Sequence, residues 1–139
     1  MKRFALIALL GLVACGPNAE FDDASVYDIS DIDALVEHAE NGEAEAQYRL
    51  AANYWDGVGV NKDYPKAATW WLRAAEQGYK EAYFPLAWMY EQGLGDLEKD
   101  HAQAANWYRK AAEFGDSEAQ SILAWMHSNG QGVLQDNQQ

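Results

Sequence analysis

Three stretches of the chain repeat one arrangement of apolar, small and polar positions and align without gaps. They are "GEAEAQYRLAANYWDGVGV" (42–60), "GYKEAYFPLAWMYEQGLGD" (78–96) and "GDSEAQSILAWMHSNGQGV" (115–133). Ala46, Leu50 and Tyr54 of the first recur as Ala82, Leu86 and Tyr90, then as Ala119, Leu123 and His127. The i, i+4, i+8 spacing puts each set on one face of a helix. A glycine pair follows each set, Gly57 and Gly59, Gly93 and Gly95, Gly130 and Gly132, where the chain can reverse through positive φ.

Between these stretches a second phrase is written twice, "AATWWLRAAEQG" (67–78) and "AANWYRKAAEFG" (104–115). It predicts second helices over 64–77 and 101–114, whose paired alanines let backbones approach closely. Trp70 and Trp107 are expected to be buried between neighbouring helices. The opening glycines are 36 and 37 residues apart, and the extra residue falls in the loop before His101, where insertions are tolerated. An active site needs its tryptophan once, so a duplication at this offset points to a repeated structural unit.

The pattern loosens at both ends. Residues 31–41, "DIDALVEHAEN", align with a second helix but carry Ala34 and Leu35 where the later unit has Trp70 and Trp71. This segment is expected to be an N-terminal capping helix, begun by Ser30 and Asp33. The third unit stops after its first helix, because "LQDNQQ" does not supply an alanine and tryptophan face. Pro85, about six residues into its segment, is expected to bend the helix or change the geometry of its first turn.

The combined motif of Ala, Leu, Tyr, the "GVGV" turn and "KDYPKAATWWLRAAEQG" resembles Sel1-like repeats, relatives of tetratricopeptide repeats. The resemblance covers about residues 31–133 and implies an all-α solenoid of antiparallel helix pairs. On this reading 31–41 is the capping helix, about 42–77 and 78–114 are repeats, 115–133 is a half repeat and 134–139 a tail. The family implies protein binding, often in bacterial envelope or secretion contexts, with no shared catalytic residue.

The N-terminus carries a different signal. "MKRFALIALLGLVACG" places Lys2 and Arg3 before an apolar run from Phe4 to Val13 and then small residues, the layout of a secretory signal over 1–14. Leu12, Val13, Ala14 and Cys15 together resemble the lipobox of bacterial lipoproteins, in which the cysteine is acylated after cleavage. Cys15 is the single cysteine, so once lipidated it leaves no thiol for a disulfide, a redox pair or a metal. Residues 15–30 then form an acidic tether with a reach of about 20 Å, which keeps the domain close to the membrane. Gly16 after the lipidated cysteine, in place of the aspartate associated with inner-membrane retention, implies the outer membrane facing the periplasm in a two-membrane bacterium.

Charge narrows the partner. Loss of the signal removes Lys2 and Arg3 and no acid, moving the formal net charge from −12 to −14. Nucleic acid is disfavoured, and a basic or mixed-charge protein partner is favoured.

No residue pattern carries catalysis or a cofactor. His38, His101 and His127 lack metal-ligand spacing, and no serine stands in a nucleophile context. "DISDID" lacks the glycine turn and distal glutamate of a calcium loop. Cysteine-rich secreted members of the resembled family are linked to β-lactam binding or hydrolysis, but their paired cysteines and an "SxxK" are missing here. Two roles follow from the resemblance, a scaffold in an envelope assembly or an immunity protein that neutralises a periplasmic toxin.

One feature points to a surface. With about 100° per residue, Ala46, Leu50 and Tyr54 share a face while positions 52 and 55 point away from it. At these outward positions stand Trp55, Trp88 and Trp125, the latter two equivalent to Ala52. The first helices of a tetratricopeptide-like stack line the concave side, so these tryptophans are candidate partner-binding residues. The bland account is packing against adjacent first helices.

Overall fold

A computed structural model describes residues 31–132. The signal at 1–14, Cys15, the tether at 15–30 and the tail lie outside the described residues. Six α-helices follow one another: α1 (Ile32–Glu40), α2 (Ala44–Asp56), α3 (Tyr64–Glu76), α4 (Tyr83–Gln92), α5 (His101–Glu113) and α6 (Ser117–Asn129). A 3-10 turn, Lys80–Ala82, leads into α4. Each helix packs on its neighbours in sequence, with α2 against α3 and α4 against α5 as the helix pairs, so the chain is an all-α solenoid.

The helix ends follow local chemistry. The Asp63 side chain accepts from the backbone N–H of Lys66 at the start of α3, and Asp100 from that of Gln103 at the start of α5, both at 3.0 Å. Asp116 does the same for α6, accepting from Ala119 N at 2.9 Å. These carboxylates satisfy donors that a helix start leaves open. The first helix is capped by Asp31, whose carboxylate accepts from Asp33 N and Ala34 N. The expected start at Ser30 and Asp33 is thus corrected to Asp31, whose oxygen reaches the first-turn amides directly, with Asp33 inside that turn.

Pro85 falls in the first turn of α4, where the helix has no use for its missing N–H. The 3-10 turn ahead of it supplies the altered geometry, and α4 starts at Tyr83.

Both complete turns close in the same way. Asp63 N donates to Tyr54 O at 2.8 Å and Asp100 N to Tyr90 O at 2.9 Å. The extra residue of the second unit lies inside its turn, where Asp96 adopts φ 63°. The insertion therefore leaves the helix pairs in register.

The core is built from small residues. Ala46, Leu50, Ala67, Ala74, Ala82, Leu86, Ala104, Ala105 and Ala119 are all fully buried. Alanine keeps the helix axes close, and the larger side chains fill the space between them. Trp107 is buried as expected. The expectation for Trp70 needs correction: it is half-buried, and its neighbour Trp71 is the buried one. Tyr83 stacks on Trp107 with ring centroids 5.7 Å apart. The earlier unit has Gln47 at Tyr83's repeat position, and its amide instead donates to Ala39 O and accepts from Gln77. No ring from that position covers Trp70.

In the third unit the shared face is less protected. Leu123 is half-buried and His127 exposed, whereas Leu50 and Leu86 are fully buried. Among the described residues α6 packs chiefly on α5, so nothing does for it what α5 does for α4.

Candidate functional site

The three candidate tryptophans lie along the first helices α2, α4 and α6, but the expectation that all point outward fails for Trp55, which packs against α3. Their environments differ. Trp55 is half-buried among rings, 4.4 Å from Tyr64, 5.7 Å from Trp71 and 5.5 Å, edge-on, from Trp88. Trp88 is 37% exposed and Trp125 is 51% exposed. The fold thus joins Trp55 to Trp88 by contact and gives Trp125 no ring-ring contact among the described residues.

Trp88 and Trp125 line one groove between α4 and α6. Its volume is about 460 Å³, with Phe84 and Glu91 completing the α4 wall and Glu118 and Ile122 the α6 wall. Ser121 is its remaining lining residue. The walls combine apolar rings with two carboxylates and contain no basic side chain.

Repeat equivalence explains why a groove exists here. Glu91 takes in α4 the position that Trp55 takes in α2, and Tyr108 takes in α5 the position of Trp71 in α3. One indole pair is therefore exchanged for a hydrogen bond, with Tyr108 Oη donating to Glu91 Oε2 at 2.8 Å. Glu91 has no ring to set against Trp125, whereas Trp55 meets Trp88 edge-on. Burial, then the bond to Glu91, then the negative charges of Glu91 and Glu118 keep the Tyr108 phenol protonated far above the ordinary tyrosine range. Glu91 was not singled out by sequence reasoning. The signal was present as a carboxylate at a position where the preceding repeat has tryptophan.

Elsewhere, three polar side chains tie one helix to the next. His38 Nδ1 lies 2.7 Å from Glu43 Oε1, a link between α1 and the start of α2. Gln47 and Gln120 each donate to a carbonyl near the end of the preceding helix, Ala39 O and Ala112 O, both at 3.1 Å. Among the described residues no three His, Cys, Asp or Glu side chains group as metal ligands, and no helix is long and apolar enough to cross a membrane.

Comparison with known families gives the repeat its name, since the Sel1 repeat model matches residues 44–79, 80–116 and 117–139. The chain belongs to the Sel1 repeat family. Among solved structures it is similar to a protective antigen of uropathogenic Escherichia coli with an SLR fold, at 43% identity and TM-score 0.68, covering 74% of this chain and 22% of that one. A Sel1 repeat protein from Oxalobacter formigenes matches at 34% identity and TM-score 0.68, covering 73% and 42%. Cysteine-rich protein B of Helicobacter pylori matches at 26% identity and TM-score 0.60, covering 66% and 68%. Among curated relatives, protein sel-1 homolog 2 of Mus musculus is 42% identical over 55 residues, 39% of this chain and 8% of that protein. The chain thus spans a small part of the curated relatives it matches. Sel1 repeats form a protein-protein interaction scaffold, and the family is generally non-catalytic.

Proposed function

We propose that this Sel1 repeat protein is a lipid-anchored module of the bacterial envelope that holds another envelope or secreted protein on its first-helix face. The exposure of Trp88 and Trp125 on one groove carries the reading. Large aromatic side chains are rarely left open to water on a protein with no partner, and tryptophan is enriched at binding hot spots. The acidic balance of the chain, −12 overall, favours a partner with basic patches. The anchor rests on "LVAC" at residues 12–15, and an outer-membrane position facing the periplasm rests on Gly16.

Site-specific cross-linking tests the reading. A photoreactive phenylalanine analogue replaces Trp125 in the intact lipoprotein in cells, and cross-linked products are identified by mass spectrometry. A discrete partner captured from position 125, and not from the second-helix position Asn106, is the expected result. Equal capture from both positions, or none from 125, removes the first-helix face as the binding surface. A scaffold role yields a resident envelope protein, and an immunity role yields a toxin.

A further inference from the structure

On the second helices the chain sets its own cation over a tryptophan ring three residues earlier, at half-buried Trp70 and at buried Trp107. Arg73 lies over the Trp70 ring at 4.6 Å, and Lys110 over the Trp107 ring at 4.3 Å. The first helices break that rule. Three residues after Trp88 stands Glu91, and three residues after Trp125 stands Ser128.

Two carboxylates therefore border exposed indoles with no internal cation between them. Glu91 uses Oε2 to accept from Tyr108, which ties its carboxylate to α5 at the groove it lines. Among the described residues the ion pairs at Glu43, Glu45 and Asp63 involve neither Glu91 nor Glu118. An uncharged apolar side chain entering the groove would strip water from these carboxylates without replacing it. An acidic one would be repelled. A guanidinium or ammonium group satisfies both features at once, by charge-assisted hydrogen bonds to the carboxylates and by cation-π attraction to the indole.

We propose that the groove between α4 and α6 receives an arginine or lysine side chain of the partner protein, its charged end set between Glu91 and Glu118 and its stem along Trp88 and Trp125. The proposal rests on the first-helix face being the binding surface and adds the chemistry of what enters it. It also assigns Glu91 and Glu118 to recognition alongside the tryptophans. The neighbouring space between α2 and α4 is closed to such a side chain, because Trp55 occupies it against Trp71 and Trp88.

The test uses the full-length lipoprotein in nanodiscs, labelled with 5-fluorotryptophan and assigned by single Trp→Phe variants. Two probes are titrated, acetyl-Ala-Arg-Ala-amide and the same peptide with citrulline, which keeps the shape of arginine without its charge. The Trp88 and Trp125 signals are expected to shift with the arginine peptide and to need at least about ten-fold more of the citrulline peptide. In Glu91→Gln/Glu118→Gln, with helicity unchanged, that preference is expected to vanish. Equal titration by both peptides, shifts confined to other tryptophans, or a preference that survives the double substitution overturns the proposal. Cross-linking from position 125 separates this from the broader reading. A partner captured equally by wild type and by the double variant overturns the cation site and leaves the binding face standing.

Discussion

Tyr108 donates its phenolic proton to Glu91 at 2.8 Å, at the two repeat positions that Trp71 and Trp55 fill one unit earlier with rings 5.7 Å apart. The solenoid keeps its backbone while changing what that contact is made of. Tilted and edge-on aromatic contacts close the surface between α2 and α4, and a polar bond stands in their place between α4 and α6. The groove is thus a consequence of two substitutions within a repeat.

Tyr108→Phe removes the donor and is expected to cost about 1–2 kcal/mol, since Glu91 can still reach water through the groove. The pH dependence carries a sign. The folded Tyr108 holds its proton above the ordinary value of 10.0, so its contribution is whole below pH 10 and is lost as pH rises further, where the unfolded chain gives the proton up first. Tyr48, Tyr79 and Tyr90 are raised in the same direction, mainly by burial. Urea unfolding from pH 9 to 11.5 is expected to show stability falling above pH 10 and a shallower fall in Tyr108→Phe.

Gly95→Ala separates backbone conformation from close approach. Gly95 has φ 67°, and a Cβ there would lie 2.6 Å from Tyr64 O and 2.8 Å from Met89 Cε. Gly42, at φ 93°, has nothing within 4 Å of the same atom. Thermal unfolding is expected to give a loss of about 1 kcal/mol for Gly42→Ala and about 2–4 kcal/mol for Gly95→Ala. Equal losses would show that the turn does not press on α3.

Trp71→Ala empties a buried site that is 6% exposed and is expected to cost about 3–5 kcal/mol, close to unfolding so small a domain. Trp70→Ala, at a half-buried position, is expected to cost distinctly less. Denaturant midpoints of the two variants check the order.

Trp125→Ala should leave helicity and melting temperature nearly unchanged, given its 51% exposure, while weakening the partner by about 1–2 kcal/mol. Trp88→Ala should weaken the partner by a similar amount and also cost some stability, because its ring meets Trp55 edge-on at 5.5 Å. Affinity measured beside a melting curve, with the cross-linked partner, distinguishes binding from packing.

Cys15→Ser should block acylation and release or trap the chain. Radiolabelled palmitate incorporation and membrane fractionation read the outcome. A variant processed and membrane-bound like the wild type would rule out the anchor.

Ala46, Leu50, Ala82, Leu86 and Ala119 announced the helix pairs through spacing alone, because a buried helical face must return every three or four residues. The glycine pairs announced the turns, since positive φ excludes most other residues; Gly57 and Gly93 both take it at the helix ends. Asp31 shows the limit of the same logic. Several short polar residues in a row can all begin a helix, and only the placed carboxylate decides among them.

The sequence by itself determined the repeat, its register and its all-α class, because these depend on intervals along the chain. The tertiary structure decided which tryptophan is core and which is surface. Adjacent Trp70 and Trp71 look alike in sequence, but their exposure depends on what Gln47, Tyr83 and the neighbouring helices bring against them. It also decided that Trp55 is enclosed while Trp125 borders a groove with Glu91 and Glu118. A side chain's neighbours across a helix interface come from other repeats, and their identities change while the spacing that places them does not.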